Sequence, residues 1–362
     1  MKKSVFKKSL SAFFALLMCF SALIGTGTTA LAAEAGETDT VVMMSFPREG
    51  DANYDGNWGH PELHYMNGWA SHASEKITAY TVGSWSGSAC YCIEPSTPLH
   101  IGDVMTARDE AYWDNYPSAY NQTISADEIK LFIGRIFQYG YTGTITTEWK
   151  SQNAADADKM AHLMATQTLI WETVVGERDG NFNHVDPGSY DAVNDRVSPD
   201  HPLYSQYIAY YNSMVSSVQK HSKVPSFFAK STAKAQEVDL EWNGSNYSAT
   251  LTDTNNVLGN YTFSADASGI SFSVNGNELT ITADSAPSDT VSITATKNGS
   301  VRKGVIIWTD GVYVPGQGQQ DLSTFAAEVN DPVRGYLNIA VSLGAAKIVK
   351  TSEDGNVSGI SF

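Results

Sequence analysis

Two residues stand out for the chemistry their side chains share. Cys92 lies in Ala89-Cys90-Tyr91-Cys92-Ile93, and Gln167 lies in Ala165-Thr166-Gln167-Thr168-Leu169-Ile170-Trp171. A thiolate set against a glutamine carboxamide can attack its carbonyl carbon and expel ammonia, which leaves an internal thioester. The product has lost the amide donors, so it is cheaper to bury than the glutamine was. Apolar surroundings would also keep water off the acyl carbon. A lysine amine from another molecule could then displace the sulphur, leaving an isopeptide bond to Gln167 and a free Cys92 thiol. Such a protein reacts once and does not turn over. Two other readings stand beside this one. Cys92 could be the nucleophile of a cysteine protease or transglutaminase-like enzyme, with His64, His72, His100 or His162 as the base. Alternatively, both residues are structural and the chain binds without a covalent bond, with Gln167 as a core glutamine bonded to backbone.

The first reading demands particular elements. Met160, Leu163, Met164, Ile170, Trp171 and Val174 recur at helical spacing, which predicts a helix over 154–175 that stops at Gly176. Gln167 falls on that apolar face, and a buried carboxamide costs about 1–3 kcal/mol unless its donors and acceptor are paired. Cys92 is predicted on a short strand over 89–93, preceded by another over 77–82. Cys90 shares a face with Cys92 by strand alternation, so a bridge between them would be strained. Two further helices are predicted over 126–139, ending at Gly140, and over 202–219.

With these residues in view, the chain resembles bacterial thioester domains. Ala89-Cys90-Tyr91-Cys92-Ile93-Glu94-Pro95 is similar to their cysteine motif, an aromatic residue or leucine followed by the reactive cysteine. Ala165 to Trp171 is similar to their glutamine motif, with Leu169 where the family usually has alanine. Ile133-Gly134-Arg135-Ile136-Phe137-Gln138-Tyr139-Gly140-Tyr141 looks like the helix and Tyr-Gly turn between them. The resemblance implies Cys92 as the thiol and Gln167 as the acyl donor. It also implies a Gram-positive surface adhesin that couples to a lysine amine of a host or neighbouring surface protein, fibrinogen being a target of some relatives.

Beyond about residue 224 helical periodicity vanishes. Short strands alternate with turns at 247–251, 261–263, 270–274, 279–282, 291–295 and 304–308, and Asn275-Gly276 and Asn298-Gly299 are hairpin signals. The expected fold class is α+β: a thioester domain with a β-sandwich or barrel core and a helical subdomain over 34–228, then an all-β, immunoglobulin-like sandwich over 229–342. Residues 343–362 resemble the start of a collagen-adhesin B-type stalk domain, in which Lys350 would be the isopeptide lysine. A strand pattern that stops at Ser361-Phe362 reads as a truncated domain, with any wall anchor beyond it.

Residues 1–33 read as a secretory signal peptide: Lys2, Lys3, Lys7 and Lys8, an apolar run, then Ala30-Leu31-Ala32. Its removal makes the remaining chain four charges more negative than the −16 of all 362 residues. So acidic a protein has no electrostatic attraction to nucleic acid or anionic lipid. A secreted monomer is expected, without membrane insertion. The two cysteines left after cleavage are too few for a disulfide scaffold. His60-Pro61-Glu62-Leu63-His64 is not a helical metal motif, because Pro61 breaks the spacing. No metal and no cofactor are expected.

Overall fold

The computed structural model describes residues 35–44, 79–82, 86–94, 97, 102, 104–108, 110–116, 123–146, 149, 153–187, 203–310, 318 and 320–341. The predicted signal peptide, His60, His64, His72, His100 and the segment carrying Lys350 lie outside these residues. Among the described residues no helix is long and apolar enough to cross a membrane.

The described chain divides into two compact units. Residues up to Ser222 together with Val301–Asp331 form the first, and Lys223–Ser300 with the chain from Pro332 onward form the second. The first unit holds strands β1 (Thr38–Met44), β2 (Ala79–Val82), β3 (Ser86–Cys92), β4 (Val104–Arg108) and β5 (Thr144–Thr146). It also holds helices α1 (Ala126–Tyr139), α2 (Ala154–Val175) and α3 (Tyr204–His221), and strands β13 (Val301–Thr309) and β14 (Leu322–Asn330). Its strands run in the order β14-β13-β4-β1-β2-β3-β5, and β14 also pairs with β3. That extra pairing closes six strands into a barrel and removes their exposed edges.

Each helix has a local reason for its limits. Ser125 and Glu128 form a reciprocal capping box at the start of α1. Asn153 accepts from Ala155 N and Asp156 N at the start of α2, and Gly176 ends α2 at φ +89°, in left-handed backbone. The sequence pattern predicts one apolar face for α2. Instead its side chains are buried nearly all round from Met160 to Val175. Three threonines in this stretch are tolerated because Thr166, Thr168 and Thr173 each return their hydroxyl to a carbonyl four residues back.

Between the two stretches of the first unit, the chain builds β6 (Gln236–Asp239), β7 (Glu241–Trp242), β8 (Tyr247–Thr252), β9 (Tyr261–Ala265), β10 (Ile270–Asn275), β11 (Glu278–Ala283) and β12 (Val291–Lys297). With β15 (Arg334–Ala340) these form two four-stranded sheets, β10-β11-β8-β7 and β6-β15-β12-β9. Leu279 and Ile281 of one sheet share a core with Ile293, Leu337 and Ile339 of the other. This is a sandwich, but not the uninterrupted one expected over 229–342. The stretch 304–308 lies in β13, where Ile307, Trp308 and Thr309 pair with Arg108, Ala107 and Thr106 of the barrel. Asn298-Gly299 is therefore no hairpin: β12 pairs with β15 and β9, and the chain passes at this turn into the first unit. Alternating polarity marks a strand but not its partner, and this partner lies some 200 residues away in the chain.

Both places where the chain leaves the first unit carry a buried polar network. Arg135 of α1 donates Nε and Nη2 to the Asp331 carboxylate at 2.6 and 2.9 Å, and Nη1 to Ser222 Oγ at 3.0 Å. His221 Nε2 lies 2.8 Å from Asp331 Oδ2. Burial alone would raise the Asp331 carboxyl, but His221 and Arg135 outweigh it and hold the group well below the usual carboxylate range.

Candidate functional site

Strand β3 and helix α2 bring the two predicted reactants together. The register of β3 with β2 ends where Cys90 faces Tyr80. Two residues on, the Gln167 carboxamide takes up the Cys92 backbone. Cys92 N–H donates to Gln167 Oε1 at 2.9 Å, and Gln167 Nε2 donates to the Cys92 carbonyl at 2.9 Å. The next residue turns the other way: Ile93 N–H donates to the Asp321 carbonyl, just before β14. Gln167 thus stands where a neighbouring strand residue would stand. The pairing that a buried carboxamide requires is met by the cysteine residue itself. Both residues are almost inaccessible, at 0% exposure for Cys92 and 1% for Gln167.

Burial pushes the Cys92 thiol up to about 12, although the Trp171 indole and the Glu94 backbone N–H pull it down. The Glu94 and Asp321 carboxylates raise it further. Trp171 Nε1 is buried and makes no hydrogen bond of normal geometry among the described residues. Cys92 is accordingly a thiol at neutral pH, and it needs a proton acceptor before it can act as a nucleophile. Cys90 is also raised, chiefly by burial and then by Cys92 and Asp39. The two cysteines share one apolar cluster with Met105, Trp308 and Leu322. Gln167 docks on Cys92, not on Cys90.

The residues just before each reactant are tied through one turn. Tyr91 donates its hydroxyl to the Tyr141 carbonyl at 2.5 Å. Tyr141 N–H donates to Thr166 Oγ1 at 2.9 Å. Gly140 makes this approach possible, since a Cβ there would meet Thr166 Oγ1 and the Ile136 carbonyl at 2.8 Å. The larger residue Leu169 is two positions from Gln167, about 200° around the helix, and lies in the apolar core of the first unit.

Residues 89–220 match the model of the family described as Thioester domain. Over that stretch the chain is similar to thioester domains. Two solved structures are similar to it. One is the thioester domain of the Staphylococcus aureus TIE protein, 19% identical, covering 84% of this chain and 99% of that one, with a TM-score of 0.37. The other is the Bacillus anthracis TIE protein, 12% identical, covering 84% of this chain and 49% of that one, with a TM-score of 0.31. The match to the second spans about half of its length. No curated protein matches the chain.

Sequence reasoning missed a polar group whose two acids, Glu94 and Asp321, act on the Cys92 thiol. Asp321 N–H donates to Glu94 Oε2 at 3.1 Å, and Tyr112 donates its hydroxyl to Asp321 Oδ2 at 2.8 Å. Gln320 Nε2 donates to the carbonyls of Glu94 and Thr97 at 3.4 and 2.9 Å. Glu94 was visible in the cysteine motif. Asp321 and Gln320 carry no local signal, because strand pairing brings them in from a stretch assigned to the second domain. His162, a candidate base, is turned elsewhere: its Nε2 lies 3.1 Å from the Tyr139 carbonyl and its ring stacks on Tyr210 at 4.1 Å. Among the described residues, Glu172, Glu177 and His184 form a group with metal-ligand chemistry. Glu172 is already engaged, with Arg178 Nε donating at 2.8 Å and the Tyr211 hydroxyl at 2.8 Å.

Proposed function

We propose that Cys92 and Gln167 form an internal thioester through which this chain, as a secreted surface adhesin, attaches covalently to a lysine amine of a host or neighbouring surface protein. The observation that supports the reading is that the buried Gln167 carboxamide docks on Cys92 and not on Cys90, through two hydrogen bonds to the Cys92 backbone. These bonds hold the carboxamide beside the cysteine residue. A purely structural glutamine would make the same bonds, and the intact mass of the protein separates the two. Attack by sulphur releases ammonia, and attack by an amine restores the thiol and leaves an isopeptide bond. The reaction is a single event per molecule, and the protein is not an enzyme. The second unit serves as an immunoglobulin-like spacer, and the protein acts as a monomer at the cell surface. Lys350, outside the described residues, is a candidate isopeptide lysine by resemblance only, and an ordinary exposed strand lysine is the preferred reading for it.

The thiol-enzyme alternative asks for a histidine at the sulphur. Among the described residues, the side chains that act on Cys92 are Trp171, Glu94 and Asp321, and His162 faces Tyr139; His64, His72 and His100 lie outside those residues. Intact-mass measurement on the secreted chain tests the proposal. The expected protein is lighter than its sequence by one ammonia, gains one methylamine on treatment, and shows neither change in Cys92→Ala or Gln167→Ala. A wild-type mass equal to that of the sequence, with no methylamine adduct, refutes the covalent mechanism.

A further inference from the structure

Cys92 and Gln167 supply the acyl group but nothing that handles protons. The incoming nucleophile, a lysine side chain, arrives as an ammonium ion with three donors and one positive charge. It must lose a proton before its nitrogen can attack. The departing sulphur must gain one, and Cys92, whose thiol burial pushes up to about 12, makes a poor free thiolate.

The acid group beside the thiol has matching features. Glu94, Gln320 and Asp321 are each more than nine-tenths buried. Among the described residues, Asp321 Oδ1 and Gln320 Oε1 are buried oxygens without a donor. Buried acceptors left unpaired are rare and call for an explanation. Gln320, next in sequence to Asp321, is held by its carboxamide nitrogen on the backbone carbonyls of Glu94 and Thr97. Two open acceptors and two carboxyls make a receptor for a cation with several N–H donors. The group also adjoins the reacting residue: Ile93, next to Cys92, donates its N–H to the Asp321 carbonyl, and Leu322 stands opposite Cys92.

We propose that Asp321, with Glu94 and Gln320, receives the target ammonium and acts as the acid–base group of the thioester reaction. This rests on the thioester reading above. The ammonium gives one proton to the Asp321 carboxylate, and the neutral amine attacks the Gln167 acyl carbon. The carbon–sulphur bond breaks with its electron pair on sulphur. The second nitrogen proton passes to that sulphur, and the proton on Asp321 leaves to solvent. The sum is a thioester and an ammonium giving an amide, a thiol and one proton.

The surroundings of Asp321 suit this role. Burial pushes its carboxyl up to about 8 and the Glu94 and Asp310 carboxylates add to the rise, while Tyr112 and Arg108 pull it down. A carboxyl near the working pH both accepts and returns a proton, and an arriving ammonium favours its ionised form.

The test uses the full chain with its thioester verified by mass, and compares methylamine, a cation at neutral pH, with hydroxylamine, which is neutral there. Asp321→Asn is expected to slow methylamine capture by about 10²–10⁴-fold, the usual contribution of a general acid–base group, and hydroxylamine capture far less. Tyr112→Phe, which removes the donor to Asp321 Oδ2, is expected to move the pH midpoint of methylamine capture upward. Equal slowing of both amines by Asp321→Asn, or no effect on either, overturns the proposal. If Asp321→Asn forms no thioester, Tyr112→Phe decides: an unmoved midpoint overturns it. A wild-type chain without the ammonia deficit fails the thioester reading itself.

Discussion

Cys92→Ala and Gln167→Leu both abolish a thioester, yet their effects on stability should differ. The bond would join residues 75 apart in sequence. By the loop-closure relation used for disulfides, a cross-link of that span stabilises by about 4–5 kcal/mol. Cys92→Ala loses this but keeps both hydrogen bonds to Gln167, because they are made by the backbone of residue 92. Gln167→Leu loses the cross-link and also strands a buried N–H and a buried carbonyl. Each stranded group costs about 1–3 kcal/mol, so Gln167→Leu should lie about 2–6 kcal/mol below Cys92→Ala. Urea unfolding followed by tryptophan fluorescence reads the order. At a slope of about 1–3 kcal/mol/M, the steps separate the midpoints by about 0.7 M or more. Wild-type protein opened with methylamine should lose the cross-link stabilisation that Cys92→Ala lacks. If Gln167→Leu is as stable as Cys92→Ala, the carboxamide does not support the Cys92 backbone as argued. If Cys92→Ala matches a wild type carrying the ammonia deficit, the cross-link stabilisation is absent.

Two further outcomes follow from the same structure. Asp331→Asn should destabilise the first unit by about 3–5 kcal/mol at neutral pH, because it breaks a buried charge network around Arg135. Since the Asp331 carboxyl is held low in the folded state, its stabilisation is present above the usual carboxylate range and is lost only as pH falls through the lowered value, which unfolding followed against pH will read. Gly140→Ala should destabilise by about 1–3 kcal/mol through overpacking against Thr166. It should also slow thioester formation, measured as the time course of the ammonia deficit after refolding.

Much of this site was legible in the chain. Helix α2 runs from Ala154 to Val175 as its periodicity and Gly176 predict. The position of Gln167 on an apolar face already demanded a partner for its carboxamide. The strands at Cys92 and through the second unit also fall close to where alternation and turns place them. These features are local: a helix face, a cap and a strand's polarity are written in neighbouring residues. What no stretch of sequence carries is which strand lies beside which. The return of β13 and β14 to the barrel closes the sheet next to Cys92. That return places Asp321 against Glu94 and Tyr112, and it divides the predicted sandwich in two. Backbone pairing uses the same N–H and carbonyl groups at every residue, so partner choice rests on burial and closure of the whole unit. The sequence by itself singled out Cys92 and Gln167, and only the tertiary structure decided what surrounds them.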